Sequence, residues 1–420
     1  MHLTNEHADR AQILDDIEQQ LLSPVYVQNP YATHALLREH APVYWCKKWG
    51  AWLITRHEHV VAALRDHRRF SNEGRYTLFF SRLPREHRER LAYLIDHYEH
   101  GGLVQSDPPN HTRLRRLTNS VFTPQAVAHM REPVEQIVAQ LIAQLRQKRR
   151  VDLIRDFAFP LPAIVIAGML GVPPDARDQF KDWSSKIQRN LGSGAPNIQY
   201  ALDAQESWRN MNETFEALLN ERLRHPKNDL LTALAQARDG ADALQANEIV
   251  RTCGSMLVAG HETTTNLIAS SILHLLARPD LRAMLVADVA LYPDAVEEFM
   301  RFESPFQSMP RTVTEDVEFH GEHLRRGDLV YVMLGAANRD PRQFAHADQL
   351  DFRRGENRQI AFGHGIPMCL GAAVSRLETP IALQGLLGAF PNMRLIEGDP
   401  QVWKTSMVQR GLEKFPLIVE

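Results

Sequence analysis

One stretch of about 31 residues, Asn247 to Ala277, has the spacing of a single uninterrupted helix and limits the folds open to this chain. Arg278-Pro279 ends it, because proline lacks the N–H that a helix interior needs. At 1.5 Å per residue such a helix would be roughly 45 Å long, which is enough to cross the molecule. The sequence therefore predicts a mainly helical protein built around one long helix.

The other segments fit a mainly α fold with a small β part. Apolar spacing predicts helices from His129 to Gln147, from Ala201 to Arg224 and from Leu370 to Leu386. A region at about residues 40–70 is richer in strand signals, and the helical remainder has no obvious break, so we expect one domain over residues 1–420. The other predicted elements are strands at Pro42–Trp45, Ala51–Ile54, Val313–Phe319 and Leu329–Leu334, and a helix from His57 to Asp66.

Composition excludes several classes of protein. The 48 Lys and Arg residues against 51 Asp and Glu residues give a net charge of −3, which argues against a nucleic-acid partner. Three cysteines, Cys46, Cys253 and Cys369, form no closely spaced framework, which favours a reducing compartment. Met1–Gln20 has no apolar core of a signal peptide, and no stretch is long and apolar enough for a membrane span. We expect a cytoplasmic protein.

Cys369 is the strongest candidate for chemistry. It follows Phe362, Gly363 and Gly365, and the two glycines let the backbone turn tightly and approach a flat ligand. A cysteine at the start of a helix lies near unpaired N–H groups and the positive end of the dipole, which favours the metal-binding thiolate. One thiolate suits an iron whose other ligands come from a macrocycle, whereas zinc needs about four protein ligands. The alternatives are an inert buried thiol and a nucleophile paired with His364.

The middle of the long helix carries Ala259-Gly260-His261-Glu262-Thr263-Thr264-Thr265. Glycine and threonine are poor formers of helix interiors, and threonine can bond the carbonyl four residues earlier. Such a helix can open a pocket, where the carboxyl of Glu262 beside the hydroxyl of Thr263 could carry protons. The alternative is that His261 and Glu262 lie on a solvated face.

Two further segments place charges at helical spacing. Glu298 and Arg301 share one helix face among apolar residues and can form a buried pair, which needs a further partner such as Arg354. His111 and Arg115 lie four apart after Asp107-Pro108-Pro109 and could hold an acidic group, as could Arg311. The alternative for His111 and Arg115 is a solvated basic helix start.

Together these segments resemble the cytochrome P450 family of haem-thiolate monooxygenases, in its soluble bacterial form. The resemblance runs nearly end to end and implies the family's fold, a triangular helical prism with a long central helix over the haem. It rests on the cysteine loop, the Glu-x-x-Arg pair, Ala-Gly-His-Glu-Thr-Thr, and the segments Asp107–Arg116, Asn338–Pro341, Leu350–Arg354 and Arg410–Leu412.

The resemblance implies a role for each matched residue. Haem b would have Cys369 as its axial iron ligand, and the thiolate favours O–O cleavage. Glu262 and Thr263 would deliver protons to dioxygen, and Glu298, Arg301 and Arg354 would form a structural core triad. The other implied haem contacts are His111, Arg115 and Arg311 on the propionates, together with Ala259, Gly260, Phe362, Gly363 and Gly371.

Pro367 departs from the family pattern, which usually has His or Arg two residues before the cysteine as a propionate donor. Proline offers neither a side-chain donor nor a backbone N–H. We therefore expect fewer charge-assisted hydrogen bonds to the haem and an altered redox potential. Pro367→His should strengthen haem retention and shift the potential, and a variant that leaves both unchanged would contradict this.

The resemblance implies O₂- and electron-dependent hydroxylation or epoxidation of a largely apolar small molecule, free or carrier-bound, in bacterial secondary metabolism. Electrons would come from a separate ferredoxin or flavodoxin with its NAD(P)H reductase, since no fused reductase is expected. A peroxide-driven or oxidative-coupling reaction and a haem sensor are alternatives. The expected apolar pocket residues are Phe79, Phe80, Leu83, Met256, Phe306, Met309 and Met407, and the expected basic patch for the electron donor is Arg113, Arg116, Arg353, Arg358 and Arg376.

Overall fold

The structure, a computed structural model, describes residues 12–21, 23–193, 197–366 and 368–420. Its helices are α1 Pro24–Gln28, α2 Tyr31–His40, α3 His57–Arg65, α4 Arg75–Ser81, α5 Arg85–Arg90, α6 Ala92–Glu99, α7 Asn110–Asn119, α8 Pro124–Ala128, α9 Arg131–Leu145, α10 Pro160–Met169, α11 Arg177–Gly192, α12 Ile198–Arg224, α13 Leu230–Gln236, α14 Ala246–Ala277, α15 Pro279–Ala287, α16 Tyr292–Phe302, α17 Leu334–Ala337 and α18 Ala372–Ala389.

The strands are short. They are β1 Val43–Cys46, β2 Ala51–Ile54, β3 Phe70–Ser71, β4 Arg150–Asp152, β5 Arg238–Asp239, β6 Asp242–Ala243, β7 Met309–Val313, β8 Val317–Phe319, β9 Glu322–Leu324, β10 Leu329–Val332, β11 Arg394–Leu395, β12 Val402–Trp403, β13 Leu412–Lys414 and β14 Pro416–Ile418. The prediction of a mainly α protein with a small β part is confirmed.

Helix α14 is the predicted central helix, and it runs for 32 residues. It begins with a capping box, in which the side chains of Gln245 and Glu248 each accept a hydrogen bond from the other residue's backbone N–H. It ends at Ala277, two residues before Pro279. It packs against α10, α12, α16 and α18, so most of its length is buried. These contacts fix the position of the residues at its centre.

The main sheet joins distant parts of the chain in the order β1-β2-β10-β7-β3. The first two predicted strands form an antiparallel hairpin, since β1 pairs with β2, with Val43 opposite Ile54. The predicted strand Val313–Phe319 is wrong, because Val313 is the last residue of β7, the chain then leaves the main sheet, and only Val317–Phe319 forms β8, which joins a different sheet. The β part is therefore not confined to residues 40–70. The predicted strand end at Leu334 is also wrong, because α17 starts there.

The described part of the chain contains no helix long and apolar enough to cross a bilayer. The longest helix, α14, carries Glu248, Arg251 and Glu262 along its length. Its apolar residues instead pack into the cores shared with the neighbouring helices.

Candidate cofactor and active site

The loop before Cys369 turns through two glycines. Gly363 and Gly365 have φ values of 81° and 70°, in the left-handed region that glycine adopts at low cost. A Cβ on Gly365 would lie 3.3 Å from the carbonyl oxygen of Leu64, so the loop packs closely on α3. The N–H of Cys369 donates to the carbonyl oxygen of Phe362 at 2.8 Å, which closes the loop. The predicted glycine turn is confirmed.

Opposing effects act on the pKa of the Cys369 thiol. Cys369 keeps exposed surface, yet desolvation by the atoms around its sulfur is the largest effect and raises the pKa of the thiol. The N–H groups of Gly371 and Ala372 and the charges of Arg115 and Arg376 lower this pKa. The predicted influence of the helix start is thus present, but desolvation outweighs it and the net shift of the pKa is upward. A metal ion would reverse it, because a coordinating thiol is deprotonated outright.

The alternative of a Cys369–His364 catalytic pair is not supported by the geometry. His364 Nε2 accepts a hydrogen bond from Arg65 Nε at 2.9 Å. Burial and then the charge of Arg65 lower the pKa of His364. Nε2 of the imidazole is thus already occupied by a cation on α3. A base that activates Cys369 would need a free nitrogen to take the proton of the thiol.

Basic residues of α7 and β7 form a cationic cluster beside this loop. Arg115 Nη1 donates to the carbonyl oxygen of Met368 at 2.6 Å, which ties α7 to the cysteine loop. Burial and then Arg115 lower the pKa of His111. Arg311 is 2% exposed, and burial followed by the charge of Arg75 lowers its pKa to about 9. The alternative of a solvated helix start is wrong for His111, which is buried.

The cluster has unused donors that suit haem propionates. Both ring nitrogens of His111 and Nη2 of Arg311 are buried, with no hydrogen-bond partner among the described residues. Asp107, whose charge reaches both, already accepts hydrogen bonds from Asn72. Buried donors without partners are costly, so carboxylates supplied by a ligand would satisfy this set. The residues present therefore fit the group, whereas Pro367 lies outside the described residues.

The centre of α14 has the predicted local geometry at Thr263. Its Oγ1 donates to the carbonyl oxygen of Ala259 at 3.2 Å, four residues earlier. A Cβ on Gly260 would lie 3.3 Å from Cγ1 of Ile166 on α10, so packing between helices explains the glycine. The predicted cofactor contacts of Ala259 and Gly260 stay predictions.

Glu262 is paired with a lysine that sequence reasoning missed. Lys404 Nζ lies 2.7 Å from Glu262 Oε1 and 3.4 Å from Oδ1 of Asn266. His261 and Glu262 are both buried, so the alternative of a solvated face is wrong. Lys404 follows β12, more than a hundred residues later in the chain, and no local pattern indicates such a contact. The hairpin packs tightly on α14 here, since a Cβ on Gly411 would overlap Asn266.

The predicted core triad is brought together. Glu298 and Arg301 are both 0% exposed and form two hydrogen bonds of 2.8 Å. Arg354 Nε adds bonds of 3.0 and 3.2 Å to the same carboxylate. Arg301 also donates to backbone carbonyls of residues 338, 347 and 349, which fixes the segment leading into the cysteine loop.

A cavity of about 70 Å³ lies between α4, α11 and the strands β7 and β10, and we call it the α4–α11 cavity. It contains four of the predicted apolar pocket residues but not Leu83, Met256 or Met309. The α4–α11 cavity is lined by Arg75, Tyr76, Phe79, Phe80, Gln188, Asn190, Leu191, Phe306, Pro310, Leu329, Tyr331, Met407 and Val408.

Comparison with known proteins identifies the family of this chain. The profile of the family described as Cytochrome P450 matches residues 47–401. Cytochrome P450 107B1 of Saccharopolyspora erythraea is 40% identical over 87% of this chain and 89% of its own. Mycinamicin IV hydroxylase/epoxidase of Micromonospora griseorubida is 37% identical over 88% of this chain and 89% of its own. The solved structure of P450BioI with a hexadec-9Z-enoic acid-ligated acyl carrier protein has a TM-score of 0.86 and 33% identity, over 94% of this chain and 99% of that one. The chain belongs to the cytochrome P450 family and is a monooxygenase whose cofactor is haem b, held by a cysteine thiolate.

Proposed function

We propose that this enzyme hydroxylates or epoxidises a largely apolar small molecule in bacterial secondary metabolism. One oxygen atom of O₂ enters a C–H bond or an alkene, and two electrons and two protons convert the other atom to water. The observation that carries this proposal is the buried Glu262 beside Thr263 at the centre of α14, because an acid next to an alcohol can move protons there. Relatives named as a hydroxylase or epoxidase support the reaction class.

Each part of the site has a distinct task in this proposal. Cys369 would bind the iron of the haem, and His111, Arg115 and Arg311 would hold its propionates. Haem, when bound, supplies the one-electron and oxygen chemistry. Phe362 begins the cysteine loop, and the guanidinium carbon of Arg376 lies 4.5 Å from the centre of its ring. The core triad holds the backbone that leads into the cysteine loop. Residues 1–420 act as a single catalytic domain.

Proton supply falls to Glu262 and Thr263. The Thr263 hydroxyl holds one hydrogen bond to the Ala259 carbonyl and can accept another from a water or a substrate. Lys404 holds Oε1 of Glu262, which fixes the carboxylate beside α14. The apolar residues of the α4–α11 cavity contact one part of the hydrocarbon in this proposal, since a volume of about 70 Å³ is well below that of a whole ligand pocket.

Electrons come from a separate ferredoxin or flavodoxin in this proposal. The predicted basic patch carries less free charge than expected, because four of its five arginines pair with acids. These pairs are Arg113 with Asp242 and Glu248, Arg116 with Asp239, Arg358 with Glu356, and Arg376 with Glu297. Attraction to an acidic electron-donor protein would thus come from a small part of the predicted basic patch rather than from all of it.

The difference spectrum of the reduced, carbon monoxide-bound protein tests the proposal. We expect a strongly red-shifted Soret band, since a thiolate on the iron is its cause. A band at the position seen for histidine-ligated or neutral-thiol haem would contradict the role of Cys369. Protein expressed with ample haem that shows no haem absorbance would overturn the whole assignment.

A further inference from the structure

Arg75, the first residue of α4, is a buried cation in the α4–α11 cavity. It is 5% exposed, and its guanidinium carbon lies 4.9 Å from the centre of the Tyr76 ring. The described residues that line this cavity include no aspartate or glutamate. A buried guanidinium without a counter-ion is unfavourable, so its place beside an apolar cavity needs a cause.

Local hydrogen bonds account for only part of the guanidinium. Arg75 Nη1 donates to the backbone oxygen of Asn72 at 2.6 Å and to its Oδ1 at 3.0 Å. Nη2 donates to the carbonyl oxygen of Val104 at 2.9 Å. These neutral acceptors satisfy donors but leave the positive charge in place. Nε is buried and has no hydrogen-bond partner among the described residues.

The surrounding charges increase the demand for an anion. Arg75 is close enough to Arg311 to disfavour the charged form of that second buried guanidinium. The charge of Asp107 favours the charged form of Arg311, but Asp107 already accepts hydrogen bonds from Ser71 and Asn72. The one acid that acts on Arg311 is therefore engaged elsewhere, and a carboxylate at Nε of Arg75 would balance the charge of these two guanidiniums.

We propose that Arg75 binds the carboxylate of the substrate, so that the substrates of this enzyme are apolar carboxylic acids. The acid end would accept a charge-assisted hydrogen bond from Nε, and the hydrocarbon body would lie against Phe79, Phe80 and Leu191. This inference rests on the proposed function, since it names the substrate class of the same site. An ester or a carrier-bound thioester has no carboxylate charge to offer Arg75.

A haem propionate is a second source of the same carboxylate chemistry. Arg311, the neighbour of Arg75, is itself a propionate donor in the proposed function. The two sources make different predictions. A substrate carboxylate makes Arg75 decide which ligands bind, whereas a propionate makes Arg75 decide haem retention and redox potential.

The experiment titrates the haem-loaded enzyme with octanoic, dodecanoic and hexadecanoic acids and with their methyl esters, and follows the spin-state shift of the Soret band. For at least one chain length we expect the acid to bind about 10- to 100-fold more tightly than its ester. Arg75→Gln should abolish this preference, and Arg75→Lys should keep part of it because the charge remains. Arg85→Gln, an exposed arginine of α5, is the matched control and should keep all of it.

Equal binding of acids and esters at every chain length, or a preference that survives in Arg75→Gln, would overturn the inference. So would an Arg75→Gln enzyme that keeps the preference but loses haem or shifts its potential, because the carboxylate would then be the propionate. The carbon monoxide spectrum of the wild type separates the two proposals. A red-shifted band without an acid preference contradicts only the substrate class.

Discussion

Glu298→Gln is expected to destabilise the protein by about 3–5 kcal/mol, which is a large part of the stability of an ordinary domain. The Glu298 carboxylate faces two arginines inside the protein, Arg301 at 2.8 Å and Arg354 at 3.0 Å. An amide cannot neutralise them, so Arg301 would remain a buried charge without its partner. Urea unfolding followed by circular dichroism measures the loss.

The contacts of the Glu298 carboxylate explain why replacing one of its oxygen atoms should cost so much stability. Glu298 also accepts hydrogen bonds from the N–H of Asp351 at 3.0 Å and from Nδ2 of Asn357 at 3.3 Å. Both residues flank Arg354 in the segment that leads into the cysteine loop. Loss of the carboxylate should therefore loosen the segment that leads into the cysteine loop, and we expect the variant to lose haem as well.

Glu89→Gln is the matched control for this prediction. Glu89 pairs with Arg85 on the surface of α5, where both side chains are well exposed. Exposed pairs of this kind are worth about 0–1 kcal/mol, so the control should unfold almost like the wild type. If Glu298→Gln also cost less than about 1 kcal/mol and kept its haem, the triad would not be the structural centre that its burial indicates.

Local patterns were enough to predict the long helix and the cysteine loop. Helix α14 could be bounded because Pro279 ends it and its apolar residues repeat along its whole length. The loop could be predicted because Gly363 and Gly365 have backbone angles that few other residues adopt. In both cases the cause of the structure lies within a few residues of its effect.

The rest depends on contacts between distant residues. The division of Val313–Phe319 follows from pairing, since β7 joins the main sheet while β8 pairs with β9. The Glu262–Lys404 pair joins a helix to a hairpin far along the chain. Neither α14 nor the hairpin alone indicates the other. The net pKa of Cys369 likewise depends on desolvation by the folded protein, which a helix-start pattern does not show.

Thr263→Ala is expected to divert electrons from product to hydrogen peroxide, and Glu262→Gln to lower kcat about 100-fold or more. Thr263 is the residue directly after the buried Glu262, and its Oγ1 donates a hydrogen bond to the Ala259 carbonyl. Without it, protons no longer arrive where the substrate reacts. Glutamine keeps the shape of Glu262 but cannot give up a proton or pair with Lys404 as a charge. Product, peroxide and NAD(P)H consumption are measured together.

Thr264→Ala is the control, because Thr264 is the next hydroxyl on α14 and is turned toward Ser375 Oγ at 3.4 Å. We expect it to keep its ratio of product to peroxide. All three variants should show the red-shifted carbon monoxide band, since none touches the thiolate. A peroxide-driven enzyme would behave differently: Thr263→Ala would then change little, because hydrogen peroxide brings both the oxygen and the protons. That result would replace O₂-dependent monooxygenation with the peroxide-driven alternative.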